Sequence, residues 1–277
     1  MAKTSDIPDI PEFKILGRIG GGSYGEVFLA RSVTGNFRAV KVVRREDFER
    51  ERTFEREFEG IQHYEKVSQD HPGLVDVLHA GRNDKEGYYY YVMELADDVE
   101  TGSDIDIDHY TPRTLASDLK HHRLRSVREC VEVGSLMADA LGHLHAAGLT
   151  HRDVKPSNVL VTEEGRVCLI DFGIARVAAT DDDRVTSTGV AVGSPAYMAP
   201  EQLRGEPCTP ATDVYAVGVM AFELLTGEHP FASGTALATA AAIERGTTRA
   251  PSQLRSSVPA VLDAIVMTCL SRDPAQR

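Results

Sequence analysis

The most informative stretch of the chain is His151-Arg152-Asp153-Val154-Lys155-Pro156-Ser157-Asn158, which is followed by Asp171-Phe172-Gly173. Asp153 and Asn158 are five residues apart, and Asp171 follows Asp153 by eighteen residues. This spacing predicts two acids and an amide that meet at one point, with a lysine between them. Phosphoryl transfer requires such groups: a carboxylate that deprotonates a hydroxyl, oxygen ligands for Mg²⁺, and a cation for the moving phosphate.

A glycine-rich segment near the amino terminus reads G-x-G-x-x-G-x-V from Gly20 to Val27. Glycines let a backbone approach phosphates closely and turn where a side chain would clash. The competing interpretation is a dinucleotide-binding turn, in which the glycines open a helix. Residues 26–31 are instead rich in strand formers, so the pattern predicts a hairpin that covers nucleotide phosphates.

Lys41 interrupts an otherwise apolar predicted strand. Lysines are almost never fully buried without a partner, although an edge-strand lysine that points to water fits the same pattern. The expected partner is an acid on the next helix. Glu57 is favoured because Phe54 and Ile61 give it an apolar flank on one helix face, and Glu59 is the alternative.

Composition is typical of a soluble globular protein. The 277 residues are 42% hydrophobic and 26% charged, with a net charge of −12. This charge argues against a nucleic-acid partner or an anionic membrane. The four cysteines are widely spaced and predict reduced core residues rather than a metal site or a disulfide frame.

Neither a targeting signal nor a membrane span is apparent. Residues 1–13 lack the charged start and apolar run of a signal peptide. The longest apolar run, from Val214 to Phe222, is far too short to cross a bilayer. We therefore expect a cytoplasmic segment that makes no membrane contact.

The periodicity of apolar residues predicts an α+β fold with two regions. Residues 13–93 give short strands and one charged helix, and Tyr88–Met93 is the predicted last strand. From residue 115 to residue 277 the spacing is mostly helical. There, Ser126–Glu129 reads as a capping box, and the nearly all-apolar helix that starts near Asp213 is predicted to be buried.

These motifs, in this order and at these distances, resemble those of the protein kinases from Gly20 to Arg277. The resemblance implies a bilobal kinase catalytic domain over residues 1–277, with a strand-rich N-lobe at about 13–93, a hinge at 94–114 and a C-lobe at 115–277. It also implies that Glu201, in Ala199-Pro200-Glu201, pairs with Arg277, and that Asp213 anchors the segment around His151. The chain ends before the usual last helix, so we expect it to belong to a longer protein that could be membrane-anchored beyond Arg277.

The resemblance assigns a role to each site residue. Asp153 is expected to be the catalytic base, Lys155 to contact the γ-phosphate, and Asn158 and Asp171 to bind metal. Lys41, paired with Glu57, is expected to hold the α- and β-phosphates of ATP. The cofactors implied are ATP and Mg²⁺, with Mn²⁺ as an alternative. The residues expected around the nucleotide are Gly20, Gly22, Gly25, Val27, Ala39, Lys41, Met93, Glu94, Ala96 and Leu160.

The expected substrates are protein serine and threonine hydroxyls. The residues from Val154 to Ser157 and from Gly193 to Met198 resemble Ser/Thr kinases rather than tyrosine kinases. Two departures are Ser194, where threonine is commoner, and Tyr215, where eukaryotic members often carry tryptophan. The combined pattern is most similar to the bacterial eukaryotic-like (Hanks-type) Ser/Thr kinases.

Thr186 and Thr188 resemble the paired activation-loop threonines of bacterial kinases. A phosphothreonine can order a loop through an arginine such as Arg152. We expect autophosphorylation at both residues, between two copies of the chain. The alternative is that they are ordinary residues of a flexible loop.

The hinge carries an acidic insertion at residues 97–108, where the family usually has a short link. Its composition predicts a disordered, solvated loop, and the alternative is a loop that attracts basic substrate segments. Its acids are Asp97, Asp98, Glu100, Asp104, Asp106 and Asp108.

Two other classes of function are alternatives: a pseudokinase and a small-molecule kinase. A pseudokinase would lack one of the key residues, and none is missing. Small-molecule kinases resemble the C-lobe but usually lack the segment Ala199-Pro200-Glu201. We therefore expect an active protein Ser/Thr kinase. The key residues are Lys41, Asp153, Asn158 and Asp171.

Overall fold

The structure is a computed structural model that describes residues 7–21, 25–48, 50–120, 125–162, 164–171 and 195–277. The chain divides into two compact units. The first unit comprises Met1–Asp70, Val75–Arg113 and Thr162–Glu164. The second unit comprises His71–Leu74, Thr114–Val161 and Gly165–Arg277.

The first unit is built on a five-stranded antiparallel sheet with the strand order β1-β2-β3-β5-β4. One long helix follows β3. The bounds are β1 Phe13–Gly21, β2 Glu26–Ser32, β3 Phe37–Arg44, α1 Glu51–Ser68, β4 Val77–Asn83 and β5 Tyr88–Met93. The predicted strands at residues 26–31 and Tyr88–Met93 are confirmed.

The two faces of this sheet have different partners, because successive side chains of a strand point to opposite faces. One face forms an apolar core cluster of Ile10, Phe28, Ala30, Val40, Val42, Tyr88, Tyr90 and Val92. The opposite face packs on α1, where the Phe54 and Tyr89 rings lie 5.1 Å apart. Lys41 pairs with Val27 on one side and with Tyr91 on the other, so β3 is an inner strand. The edge-strand alternative for Lys41 is therefore wrong.

The second unit is mainly helical. Its elements are α2 Leu115–Lys120, α3 Val127–Ala146, β6 Val159–Val161, β7 Val167–Leu169, α4 Pro200–Leu203, α5 Pro210–Thr226, α6 Ala236–Arg245, α7 Pro251–Leu254 and α8 Ala260–Cys269. Short 3₁₀ turns lie at Pro156–Asn158, Pro195–Tyr197 and Pro274–Gln276.

Local signals in the sequence explain where the two longest helices of this unit begin and end. The Glu129 amide donates to Ser126 Oγ, and the Ser126 amide donates to Glu129 Oε2, so the predicted capping box at α3 is confirmed. Helix α5 has ten buried residues, as its apolar composition predicted. It ends at Gly227, whose φ of 76° suits a left-handed C-cap.

The strand-rich first unit and the helical second unit confirm the predicted α+β class. Within the described ranges, no helix is both long and apolar enough to cross a bilayer.

The predicted disorder of the acidic insertion is wrong. Asp98 is buried, and its carboxylate accepts hydrogen bonds from the amides of Glu100, Thr101 and Thr111. Burial raises the pKa of Asp98, but these amides outweigh it and leave the pKa below its usual value. Asp98 thus folds the segment into an Asx-type turn, whereas the acids at positions 104, 106 and 108 are exposed.

Candidate active site

The segment from His151 to Asn158 is held by one buried carboxylate from α5. Asp213 accepts hydrogen bonds from the backbone amides of His151 at 2.8 Å and Arg152 at 2.7 Å. His145 Nε2, on α3, donates to the same carboxylate at 2.8 Å. The role of Asp213 was predicted, but its contact with His145 was not. Arg152 has a φ of 66°, and these bonds fix its backbone there.

Asp153 lies at the centre of a compact polar cluster. Lys155 Nζ lies 2.6 Å from Asp153 Oδ2, and Asn158 Nδ2 donates to the same oxygen at 3.0 Å. Asn158 Nδ2 also donates to the Asp153 carbonyl at 2.8 Å. The structure therefore brings together three of the four residues that the sequence pattern grouped. Because the carboxylate is about one-third exposed, it is accessible to a substrate hydroxyl.

Asp171 is joined to this cluster through the backbone. The Ile170 amide donates to the Asn158 carbonyl at 2.9 Å, and the Ile170 carbonyl accepts from His151 Nε2 at 3.1 Å. Burial lowers the pKa of His151, so its ring is neutral and serves as a structural donor. Asp171 follows directly, with a φ of 55°. Asp171 and Asn158 are thus neighbours.

The oxygen atoms of Asn158 and Asp171 are suitable ligands for a hard cation such as Mg²⁺. Asn158 turns its Nδ2 toward Asp153, which leaves its amide oxygen Oδ1 able to act as a cation ligand. Mg²⁺ prefers oxygen ligands and is usually bound by one or two carboxylates together with substrate phosphates. Within the described ranges, no three His, Cys, Asp or Glu side chains cluster as a metal site of their own.

Strands β1 and β2, which flank the glycine-rich segment, pair antiparallel, as the hairpin prediction requires. Gly20 pairs with Val27 across the two strands. Gly25 has a φ of 100°, and a Cβ atom there would lie 2.4 Å from the Val42 carbonyl oxygen, so only glycine fits. Gly22 lies outside the described residues.

Glu57 and Lys41 are neighbours in the first unit. Glu57 is buried on the face of α1 that packs on the sheet, whereas Glu59 is exposed. Burial raises the pKa of Glu57 to about 7, and a Tyr89 hydrogen bond and the charge of Lys41 oppose that rise. The phenol of Tyr89 donates to Glu57 Oε2 at 3.0 Å, a contact that the sequence reasoning missed.

The remaining residues predicted around the nucleotide lie in both units. Ala39 and Met93 are cross-strand partners on the face of the sheet that also carries Val27 and Lys41. Glu94 and Ala96 follow β5, and Tyr110 Oη donates to the Ala96 carbonyl at 2.9 Å. Leu160 is a buried β6 residue of the second unit.

Comparison with known protein families decides the identity. A model described as the protein kinase domain matches residues 13–277. The chain belongs to the protein kinase family.

The relatives of this kinase domain include several bacterial enzymes. It is 30% identical to the serine/threonine-protein kinase PrkC of Bacillus subtilis over an alignment of 265 residues, and this alignment covers 96% of this chain and 38% of PrkC. It is 33% identical over 261 residues to PknB of Mycolicibacterium smegmatis, covering 94% of this chain and 39% of PknB. It is 36% identical over 211 residues to PknA of Mycobacterium tuberculosis, covering 75% of this chain and 44% of PknA. The chain thus spans less than half the length of these relatives.

The carboxyl-terminal end of this kinase domain contains the predicted pair of Glu201 and Arg277. Arg277 Nη1 and Nη2 donate to the two Glu201 oxygens at 2.7 and 2.9 Å, and both side chains are buried. Burial would raise the pKa of Glu201, but the Arg277 bonds hold it below its usual value. The Arg277 guanidinium also lies 4.9 Å from the centre of the Tyr215 ring.

A cavity of about 400 Å³ lies in the second unit beside the 3₁₀ turn at Pro195–Tyr197. His229 Nε2 donates to the Ala196 carbonyl at 3.0 Å, and Tyr197 Oη donates to Glu223 at 2.6 Å. The cavity is lined by small side chains apart from that of His229, and burial lowers the His229 pKa, which favours the neutral ring. The lining residues are Pro195, Ala196, His229, Ala232, Ser233, Gly234, Thr235, Ala236 and Thr239. Phe172, Thr186, Thr188 and Ser194 lie outside the described residues.

Proposed function

We propose that this kinase domain transfers the γ-phosphoryl group of ATP to serine and threonine hydroxyls of protein substrates. The observation that carries the proposal is the cluster in which Lys155 and Asn158 both contact Asp153 Oδ2, at 2.6 and 3.0 Å. The names of PrkC, PknB and PknA, which are serine/threonine-protein kinases, support the substrate class.

Asp153 acts as the general base. As the substrate oxygen bonds to phosphorus, its proton passes to the Asp153 carboxylate, and the bond from the γ-phosphorus to the bridging oxygen breaks. Because Lys155 and Asn158 occupy Oδ2, the second carboxylate oxygen is the one that faces the hydroxyl. The Lys155 ammonium offsets the charge that spreads over the transferred group.

The metal is Mg²⁺, with Mn²⁺ as an alternative, bound by Asp171 and the Asn158 amide oxygen. When bound, it neutralises phosphate charge in the transition state. The backbone bond between Ile170 and Asn158 keeps these two ligands together, and Asp213 fixes the segment that leads to Asn158. The protein contributes few metal ligands, as is usual for Mg²⁺ sites completed by substrate phosphates.

The nucleotide contacts proposed for the first unit are those that the resemblance to protein kinases implies. The glycine hairpin, with Gly20, Gly22 and Gly25, covers the phosphates, and Lys41 binds the α- and β-phosphates. Val27 and Ala39 contact the base, and the resemblance assigns the same role to Leu160. Met93 is the gatekeeper residue, the Glu94 carbonyl accepts from adenine, and the Ala96 amide donates to it.

The substrate polypeptide is seated by the turn at Pro195–Tyr197 and the cavity beside it. This cavity has no lysine, arginine, aspartate or glutamate in its lining. We therefore expect small, uncharged residues next to the phosphorylated hydroxyl to be favoured over charged ones.

Regulation by autophosphorylation at Thr186 and Thr188 between two copies of the chain is part of the proposal. Arg152 lies beside the catalytic aspartate and is the cation that a phosphothreonine would neutralise. Phosphopeptide mapping of the active enzyme tests it, because unmodified Thr186 and Thr188 in fully active protein would contradict it.

The transfer itself is tested with γ-labelled ATP, Mg²⁺ and a generic protein substrate. The expected product, after acid hydrolysis, contains phosphoserine and phosphothreonine. Label found only on tyrosine, or only on a small-molecule acceptor such as an aminoglycoside, would contradict the proposal. An Asp171→Ala variant of unchanged fold is the control and should give no label.

A further inference from the structure

Tyr89 fixes helix α1 around Glu57 through three contacts. Its ring centre lies 5.1 Å from that of Phe54 and 5.3 Å from that of Phe58. Its hydroxyl donates to Glu57 Oε2 at 3.0 Å. Phe54, Glu57 and Phe58 share one face of the helix, because they are three and four residues apart. A single β5 side chain therefore determines where Glu57 lies.

The two oxygens of the Glu57 carboxylate have different surroundings. Oε2 accepts from Tyr89, whereas Oε1 is buried and accepts no hydrogen bond from any residue that the structure describes. The residue as a whole is only 3% exposed. An unsatisfied buried carboxylate oxygen is costly, so its presence indicates a place for a cation.

Lys41 is the cation whose charge acts on this carboxylate. Lys41 and Tyr91 are cross-strand partners on β3 and β5, and Tyr89 lies two residues from Tyr91 on the same face. The Lys41 charge acts on Glu57 and lowers its pKa. Lys41 and Tyr89 thus approach the same carboxylate from neighbouring strands.

We propose that Tyr89 is a positioning residue for nucleotide binding, whose phenol holds Glu57 by one oxygen so that the other binds Lys41. The inference rests on the proposed function, in which the pair of Lys41 and Glu57 holds the ATP phosphates. Tyr89 does not touch the nucleotide in this proposal, and it acts only through Glu57.

The ionisation of Glu57 makes this role measurable. Burial raises its pKa to about 7, and the Tyr89 hydrogen bond and the Lys41 charge counteract that rise. Strand β4, which also packs on α1, contributes Arg82, but that guanidinium pairs with Glu55 and Asp84. Among the described residues, Lys41 and Tyr89 are therefore the polar groups that set the charge of Glu57.

Removing the phenol should shift the acid limb of activity upward in pH. The hydroxyl stabilises the ionised carboxylate, so Tyr89→Phe raises the pKa of Glu57 further. Ionised Glu57 pairs with Lys41, so activity is present above this pKa and is lost as the pH falls through it. If the variant leaves roughly a tenth rather than half of Glu57 ionised near pH 7, kcat/KM for ATP should fall about fivefold there, with almost no loss near pH 9.

The experiment compares Tyr89→Phe with Tyr90→Phe. The control also removes a phenol oxygen, but from the face of β5 opposite to α1, within the apolar core cluster. Profiles of kcat/KM for ATP are measured from about pH 6 to about pH 9, since this parameter reports ionisations of the free enzyme. The acid limb should move upward for Tyr89→Phe and stay in place for Tyr90→Phe. In a Glu57→Gln background the ionisable carboxylate is absent, so the double variant with Tyr89→Phe should have the same pH dependence as Glu57→Gln alone.

A second measurement does not depend on activity. A carboxyl ¹³C titration of Glu57 in the whole chain should show a higher pKa in Tyr89→Phe than in wild type. An unchanged Glu57 pKa, or superimposable profiles for Tyr89→Phe and wild type, would overturn the inference. Wild-type protein that does not phosphorylate at any pH would instead overturn the proposed function, and the ¹³C titration would still decide the role of Tyr89.

Discussion

The buried pair of Glu201 and Arg277 offers a direct comparison between two arginine–glutamate pairs of the same unit. In the buried pair the Arg277 side chain is 0% exposed and that of Glu201 is 3% exposed. The Arg204 and Glu244 side chains make a similar fork of hydrogen bonds, but each is 36% exposed. The two ion pairs have the same chemistry but differ strongly in burial.

Arg277→Ala should destabilise the protein far more than Arg204→Ala. Removing Arg277 leaves the Glu201 charge buried without its partner, which costs about 3–5 kcal/mol. It also removes the bond from Nη1 to the Ala211 carbonyl at 2.9 Å and the contact with the Tyr215 ring. Removing Arg204 breaks a half-exposed pair, which is worth about 0.2–1 kcal/mol.

Urea unfolding of both variants measures the difference. Arg277→Lys is an informative third variant, because it keeps the charge but loses the fork, and it should fall between wild type and Arg277→Ala. The reasoning is refuted if Arg277→Ala and Arg204→Ala lower the free energy of unfolding by the same small amount.

Three further outcomes follow from the geometry. Gly25→Ala should raise the KM for ATP by roughly tenfold or more, because strain at such positions costs about 1–3 kcal/mol and the new Cβ meets the Val42 carbonyl. Gly35→Ala is the control, because Gly35 has a similar φ but open space around it. Equal effects of the two substitutions would contradict a role of the hairpin in ATP binding. Tyr110→Phe removes one neutral hydrogen bond to the Ala96 carbonyl, next to the amide proposed to bind adenine. The KM for ATP should therefore rise about threefold with little change in kcat. Unchanged steady-state kinetics would show that Tyr110 does not support ATP binding. Glu201 has a lowered pKa, so the stability that it contributes is present above its ordinary pKa of 4.5 and is lost as the pH falls. The difference in unfolding free energy between wild type and Arg277→Ala should therefore become smaller in acid. A difference that becomes larger in acid would contradict a stabilising pair of ionised Glu201 and Arg277.

The parts of the site that the sequence predicted well are those set by short separations. Asp153, Lys155 and Asn158 lie within one turn-rich segment, so their spacing alone restricts where the side chains lie. The glycine hairpin was predictable for the same reason. The residues after it are strand formers, and Gly25 has a conformation that only glycine tolerates without a clash.

Contacts between distant residues could not be predicted in this way. Tyr89 and Glu57 are 32 residues apart, and His145 and Asp213 are 68 residues apart. Each contact depends on which strand lies beside which, and on the rotation of a helix about its axis. In the sequence, Tyr89 is one of four consecutive tyrosines, and nothing in that run distinguishes the one that reaches Glu57.

The acidic insertion shows why composition was a poor guide there. Its charge predicted disorder, but Asp98 folds the segment by accepting backbone hydrogen bonds from both of its ends. The hydrogen bonds of this one buried acid stabilise the fold of the segment even though several acids around it are exposed. The sequence did not distinguish Asp98 from its neighbours, because its burial depends on the return of the chain at Thr111.

The central claim is that Asp153 accepts the proton of the attacking hydroxyl, and Asp153→Asn tests it most directly. The amide preserves the shape of the side chain but is not a base, so kcat should fall by about 10²–10⁴ while the dissociation constant for ATP stays unchanged. Asp108→Asn, at an exposed acid of the first unit, should keep wild-type activity. Phosphorylation by Asp153→Asn at a rate close to that of wild type would contradict the account.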